Sequence, residues 1–185
     1  MKKIVLFALL TVVFVSALVI GTSAAAYNEE IDVAKIGTEG YATLADAVAA
    51  AKDGDTIYLT KPVDRGAGIV LDGTKTLTLD FGNNTYNVDG PSVGSHGTET
   101  LGFQIKKGAD MTLKNGKITT TCPTVYLLIQ NYTNLTLTNM VVDGRGITIN
   151  GVCYTLSNNY GDVVINGNSS IYAKDGNSFA FDVYY

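Results

Sequence analysis

Acidic residues in turn sequences are the first candidates for chemistry in this chain. Acids clustered on one face of a fold can bind Ca²⁺ or act as general acid and base across a glycosidic bond. The acids in question are Asp72, Asp80, Asp89, Asp110, Asp143 and Asp162. Most of them lie in turn sequences, where turn chemistry explains them without catalysis. Asp143-Gly144-Arg145 places an acid near a base, so Asp143 and Arg145 are the catalytic candidates, although a solvated turn is the favoured interpretation.

The sequence offers little else for catalysis. His96 is the only histidine, and it lies in a Gly- and Ser-rich segment without a Ser or Cys partner pattern. A Ser-His-Asp arrangement is therefore not supported. No acid pair recurs at a fixed spacing and no metal-ligand cluster is evident, so we expect neither a metal nor a cofactor.

Tyrosine is the residue type that could form a binding surface. Tyr126 alternates with Val125 and Leu127 and should face outward. With Tyr132 and Tyr172 it forms the predicted ligand-binding set, because exposed Tyr beside Asn and Thr suits flat contact with sugars or a partner protein. The β-propensity of Tyr explains the same residues equally well.

These candidates have to be positioned by an internal repeat. Two apolar residues that alternate with polar ones, followed by Asn, Asp or Gly, recur at residues 77–80, 111–116, 135–139 and 163–167. Taking Leu79, Leu113, Leu137 and Ile165 as equivalent gives separations of 34, 24 and 28 residues. Further short strands are predicted at 69–71, 86–88, 103–105, 118–119, 125–129, 147–149, 154–156, 171–172 and 179–183. The chain therefore has about three short strands per repeat.

One helix precedes these strands. Thr43 is the predicted N-cap and Asp46 the first-turn acid, and Leu44, Ala47, Val48 and Ala51 form an apolar stripe that ends at Gly54. Ile57 and Leu59 then alternate with polar residues as a half-buried strand.

Strands this short cannot bury an apolar face alone, so stacking of successive repeats is the favoured arrangement over meander hairpins. We predict an all-β fold in which parallel strands stack repeat over repeat beneath one N-terminal amphipathic helix. Asn115 and Asn139 occupy equivalent positions after Leu113 and Leu137, and we expect their side chains to form a structural ladder.

The cap helix, the segment Asp53-Gly54-Asp55-Thr56-Ile57-Tyr58-Leu59, and the repeated Leu-Thr-Leu and Asn-Gly steps resemble the parallel β-helix proteins of the pectate-lyase-like superfamily, especially exported bacterial surface members. The resemblance covers residues 34–185. It implies the fold, a right-handed parallel β-helix of about five coils capped by the N-terminal helix, but not one activity, since that superfamily includes lyases, hydrolases, esterases and adhesins.

The first residues read as a leader. Lys2 and Lys3 precede an apolar run over residues 4–20, and small residues follow at 23–26. We predict a signal peptide over 1–26 rather than an anchor, because no basic stop-transfer cluster follows it. The mature chain is then secreted or on the cell surface, without a stable membrane span. Its charge falls from −4 to −6 when the two lysines are lost, which argues against nucleic acid as a partner.

The remaining domain predictions follow from this order. A lead-in strand is expected within 27–40 and the repeat domain over 41–185, with an irregular insertion over 89–100. Cys122 and Cys153 fall on neighbouring repeats, where a disulfide and two buried thiols are both open interpretations. The apolar segment 178–185 has no cap after it, so a missing continuation, self-association or a further domain is expected there.

Taken together, these features favour a non-catalytic exported protein that binds glycans or host and partner surfaces, as an adhesin or a stalk. The alternative is a polysaccharide lyase or glycoside hydrolase of the same superfamily. Turnover that depends on Asp143 or Arg145 would separate the two.

Overall fold

The computed structural model describes residues 25–184. The predicted leader over 1–26 therefore lies outside the described residues except for its last two. The elements in chain order are β1 (Ala34–Ile36), β2 (Glu39–Tyr41), α1 (Leu44–Ala50), β3 (Thr56–Leu59), β4 (Val63–Gly66), β5 (Ile69–Leu71), β6 (Leu77–Asp80), β7 (Thr85–Val88), β8 (Val93–Ser95), β9 (Thr98–Ile105), β10 (Met111–Thr120), β11 (Leu127–Asn131), β12 (Leu135–Asp143), a 3₁₀ turn (Gly144–Gly146), β13 (Tyr154–Asn158), β14 (Val163–Asn166), β15 (Ser170–Tyr172) and β16 (Phe179–Val183).

Within residues 25–184 the fold is mainly β, with α1 and one 3₁₀ turn as the helical parts, and most of the strand pairs are parallel. The first sheet follows the order β14-β12-β10-β6-β3-β1-β2, with β15, β4 and β7 attached beside that path. The second sheet follows β16-β13-β11-β9-β5, with β8 paired to β9. From β3 to β14 in the first sheet and from β5 to β16 in the second, neighbouring strands come from successive repeats and pair in parallel, so these parts of the sheets are not built from sequential hairpins.

The register confirms the equivalence predicted from the repeat. Leu113 lies opposite Leu79 on one side and Leu137 on the other, and Leu137 lies opposite Ile165. Ile57 pairs with Leu79 and adds a fifth member to this column. The four members before Ile165 are at most 2% exposed, which makes the column one wall of the core.

The second sheet supplies the opposite wall. Phe103 pairs with Ile69 and Ile129, and Leu156 continues the column beyond Ile129. All four side chains are buried. Apolar stacking of this kind stabilises a fold whose individual strands are too short to be stable alone.

The helix has the predicted cap and face. The Asp46 backbone N–H donates to Thr43 Oγ1 at 3.0 Å, and Leu44 and Ala47 face the core. The prediction that Gly54 ends the helix is wrong, since the helix ends at Ala50. The chain turns before it reaches Gly54, because the Lys52 N–H donates to Asp55 Oδ2 at 2.7 Å.

The expected single lead-in strand is instead an antiparallel hairpin of β1 and β2. Gly37 makes this reversal possible, because its φ of +57° is readily adopted only by glycine. β1 also pairs antiparallel with β3, so the hairpin extends the edge of the first sheet. None of the helices in the described range is long and apolar enough to cross a membrane.

Two connections differ from prediction. The insertion over 89–100 is partly ordered, because β8 folds back antiparallel on β9. The strand expected at 147–149 does not form. The Asp143 side chain accepts the Arg145 N–H at 3.2 Å and the Ile147 N–H bonds to the Gly144 carbonyl, which closes a 3₁₀ turn there instead.

Candidate functional site

The predicted catalytic pair forms a closed ion cluster. Arg145 Nε lies 2.7 Å from Asp143 Oδ1, and Arg145 also donates to Oδ2 at 2.8 Å. Lys117 Nζ lies 2.7 Å from Asp143 Oδ2, and the Arg145 guanidinium packs 4.2 Å from the ring centroid of Tyr172. These hydrogen bonds, from Arg145 first and then Lys117, hold the pKa of the Asp143 carboxyl well below its usual range.

That arrangement suits a structural carboxylate. A general acid needs a proton near neutral pH, and Asp143 is ionised there. Its side chain is only 6% exposed, and both of its oxygens are already bonded to cations. The cluster fixes the turn after β12, and its two charges from Lys117 and Arg145 offset the cost of burying the carboxylate.

The two predicted structural asparagines lie at matching bends in β10 and β12. Asn115 and Asn139 have φ values of +56° and +53°, a conformation that Asn tolerates better than most residues. Asn139 Nδ2 donates to Asn115 Oδ1 at 3.3 Å, and Asn115 Nδ2 donates to Asp80 at 3.2 Å. The polar bonds therefore run from one repeat to the next along the stack.

A second asparagine pair, which sequence reasoning missed, is more deeply buried. Asn131 Nδ2 donates to Asn158 Oδ1 at 2.7 Å and to the Thr133 carbonyl at 2.6 Å. Asn158 Nδ2 donates to the Gly161 carbonyl at 2.8 Å. The signal was available in the repeat, because both residues follow an apolar strand at the same register position.

The cysteines are separate thiols in the structure. Cys122 and Cys153 are both free and buried. Cys122 Sγ lies 3.2 Å from Thr124 Oγ1, and Cys153 Sγ contacts the Ile149 and Gly151 carbonyls. Each thiol is held within its own turn, and the bridge considered from the sequence is not formed.

The three predicted ligand-binding tyrosines lie in different parts of the fold. Tyr132 is in the turn between β11 and β12, and Tyr172 ends β15 in the first sheet beside Arg145. Tyr126 precedes β11 in the second sheet. The structure therefore gives no shared surface to the set, and only Tyr126 lines a polar groove.

The groove beside Tyr126 is the best candidate site. We call it the Gln–Tyr groove, and its lining residues are Ser95, Thr98, Thr100, Leu101, Gln104, Tyr126 and Gln130. It is open to solvent, with a volume of about 130 Å³. Gln104 and Gln130 come from adjacent strands in register, and Gln104 Nε2 donates to Gln130 Oε1 at 3.4 Å. The contact does not use Gln104 Oε1 and Gln130 Nε2, which are an acceptor and a donor of two groove-lining side chains.

Aromatic rings continue the groove along the stack. The ring of Tyr126 meets Tyr154 edge-on, with centroids 6.3 Å apart. Tyr154 stacks on Phe179 with centroids 5.3 Å apart and planes at 9°. An apolar ring surface therefore adjoins a row of hydroxyl and amide groups, and all the groove-lining side chains are uncharged.

A larger cavity of about 490 Å³ lies between α1 and β5. Its lining is mostly Ala, Val, Ile and Leu, with Asp72 and Lys75 as the charged members. The Asp72 carboxylate accepts from the Thr74 N–H and hydroxyl at 2.9 and 2.7 Å, which lowers its pKa. Lys75 Nζ donates to the Ala49 carbonyl. This gap is where the cap helix meets the stack, and its polar groups already bond to the protein.

Within residues 25–184 no group of three or more His, Cys, Asp or Glu side chains is close enough together to hold a metal ion. His96 is fully exposed and lies 3.9 Å from Glu99. No family model, curated protein or solved structure matches this chain.

Proposed function

We propose that this chain is an exported, non-catalytic right-handed parallel β-helix of the pectate-lyase-like kind, and that it binds neutral glycans in the Gln–Tyr groove. The winding is supported by in-register parallel pairing between successive repeats in both sheets. Right-handed crossovers are the general rule for parallel strands in one sheet, which favours that hand.

The observation that carries the binding proposal is the combination of residues in the groove. A sugar ring has a C–H face that packs on an aromatic side chain and a rim of hydroxyls that both donate and accept hydrogen bonds. Tyr126 supplies the ring surface, and Gln104 and Gln130 supply the free acceptor and donor. The uncharged lining favours a neutral ligand, because an anionic one would lose hydration without gaining a counter-charge.

The catalytic alternative has less support. A lyase or hydrolase needs an acid and a base that can exchange protons at the substrate. Asp143 and Arg145 are bound to each other, and Asp143 is further bound to Lys117. The groove itself contains no carboxylate.

A glycan array tests the proposal. The full chain, expressed with its leader and purified from the fraction to which it is exported, should bind neutral glycans. Tyr126→Ala and Gln130→Ala should each weaken binding by about tenfold, as expected for loss of a central contact. Tyr58→Ala is the matched control, because Tyr58 is 40% exposed on the first sheet, away from the groove.

The outcomes are distinct. Binding that resists Tyr126→Ala, or that Tyr58→Ala or Tyr172→Ala abolishes, contradicts the assigned groove. Binding to proteins but to no glycan contradicts the ligand class. Cleavage of a polysaccharide that Asp143→Asn abolishes would establish the enzyme alternative.

A further inference from the structure

The last repeat in the described range, residues 163–183, concentrates exposed apolar side chains. Seven large hydrophobic residues that are at least 39% exposed lie on or directly after it: Val164, Ile165, Tyr172, Phe179, Phe181, Val183 and Tyr184. We call this set the open end. Only four such residues lie elsewhere in the described range, at scattered positions. An apolar cluster of this kind usually marks an interaction surface.

The open end continues the columns of the core. Ile165 pairs with Leu137, which is fully buried, yet Ile165 is 46% exposed. Phe181 pairs with the fully buried Leu156 and is 39% exposed. No element in the described residues packs over either side chain.

Among the described residues, the backbone at this end is also unpaired on one side. β14 and β16 are the terminal strands of the two sheets, and β15 pairs only with β12. Terminal strands with free N–H and C=O groups are sites for pairing with another chain. In the same repeat, Asp182 Oδ1 is enclosed and has no hydrogen-bond donor in the described range.

We propose that the open end binds the open end of a second copy of this chain in a two-fold dimer. The surface can complement itself because seven of its side chains are apolar; Asp182 is the one carboxylate on β16. The charged Lys174 and Asp175 of this repeat bond to each other at 3.6 Å. A two-fold axis would place each edge strand antiparallel to its counterpart, which satisfies the free backbone groups.

Within residues 25–184, the opposite end of the stack presents a different surface. There the β1–β2 hairpin and α1 cover the core, and Lys61 Nζ donates to the Glu29 and Glu30 carbonyls at 3.0 Å. Head-to-tail stacking would set apolar side chains against this polar cover. The assembly therefore closes at two copies and does not form a filament.

The available area is enough for a dimer of moderate affinity. At the observed exposures, the seven side chains offer roughly 600 Å² per copy, taking about 150–200 Å² for each whole side chain. Two copies would bury at most about 1,200 Å² if all seven side chains were fully covered, which is at the lower limit for specific interfaces. Concentration-dependent dimerisation is the expected behaviour.

Sedimentation analysis of the exported full chain across a wide range of concentrations tests this proposal, which is independent of glycan binding. We expect monomers on dilution and dimers at high concentration, without larger species. The double variant Ile165→Lys and Phe181→Lys should raise the dissociation constant at least tenfold. Ile31→Lys is the matched control, because Ile31 is 64% exposed but lies before β1.

Circular dichroism checks that each variant keeps its strand signal, and where the double variant does not, the single Phe181→Lys variant takes its place. A wild-type chain that stays monomeric, or forms species beyond the dimer, overturns the proposal. So does a dimer that survives the lysine substitutions, or one that Ile31→Lys abolishes.

Discussion

The two ends of the described stack differ in how the apolar side chains of their outermost repeats are covered. At the first end, α1 and the β1–β2 hairpin bury Ala34, Leu44 and Ala47 against the core. At the last end, Ile165 and Phe181 occupy core columns but remain partly exposed. A stacked fold gives each internal repeat two neighbours, so a terminal repeat needs a different cover.

This difference shows that position in the stack, more than residue type, decides how much an apolar side chain contributes to the stability of the fold. Leu113 and Ile165 belong to the same column of the first sheet. The first has a repeat on both sides and the second has a repeat on one side. The comparison can therefore be tested by making the same kind of substitution in an inner repeat and in the outermost one.

The largest expected effect comes from Leu113→Ala. Leu113 is fully buried between Leu79 and Leu137, so truncation should lower the free energy of unfolding by about 3 kcal/mol. Ile165→Ala, at 46% exposure, should cost about 1 kcal/mol in the monomer. Urea unfolding at low protein concentration measures both, and equal losses would contradict the distinction between inner and terminal repeats.

Asn131→Ala should follow in size. The change removes the amide that donates to the Asn158 side chain and the Thr133 carbonyl, and leaves both buried acceptors unsatisfied. We expect a loss of about 2 kcal/mol. Asn134→Ala is the control, because Asn134 is an exposed residue in the same turn, and its loss should be well below that of Asn131→Ala. Losses of equal size would show that the buried Asn131 amide contributes no more to the free energy of unfolding than the exposed Asn134 does.

The Asp143 cluster predicts acid sensitivity. The folded-state pKa of Asp143 is below its value of 3.8 in the unfolded chain, so the stabilisation is present above that pH. It is lost progressively as the pH falls below 3.8 toward the folded-state pKa. Asp143→Asn should cost about 1.5 kcal/mol at neutral pH and have a smaller effect in acid. A cost that does not change with pH in urea unfolding would contradict the ion cluster.

At the closed end, Thr43→Ala should have the smallest effect. It removes the N-cap acceptor of the Asp46 N–H and should cost about 1 kcal/mol. Thr43→Ser keeps the hydroxyl and should restore most of the stability. If Thr43→Ala leaves the free energy of unfolding unchanged, the N-cap hydrogen bond does not stabilise the packing of α1 on the stack.

Much of the fold was predictable because the repeat is local and periodic. The equivalence of Leu79, Leu113, Leu137 and Ile165 follows from alternating apolar residues before Asn or Gly, and the register confirms it. The Thr43 cap was predictable for the same reason, because its signal lies within one helical turn.

The features that were missed depend either on a side-chain hydrogen bond that competes with strand formation or on contacts between repeats. The 3₁₀ turn at 144–146 forms because Asp143 captures the Arg145 N–H, which competes with strand formation at 147–149. The groove combines Ser95 with Gln130, which the β8–β9 hairpin brings together. The alternation singled out Tyr126, whose role in binding stays a prediction, whereas its amide neighbours needed the pairing register.

Hydrogen–deuterium exchange at low and high protein concentration tests the contrast between the two ends most directly. We predict that amides of β14, β15 and β16 become more protected as concentration rises, because a second copy pairs with their free edges. Amides of α1 and of β1–β3 should exchange at the same rates in both samples. Unchanged protection in the last repeat, or an equal rise at both ends, would contradict the account.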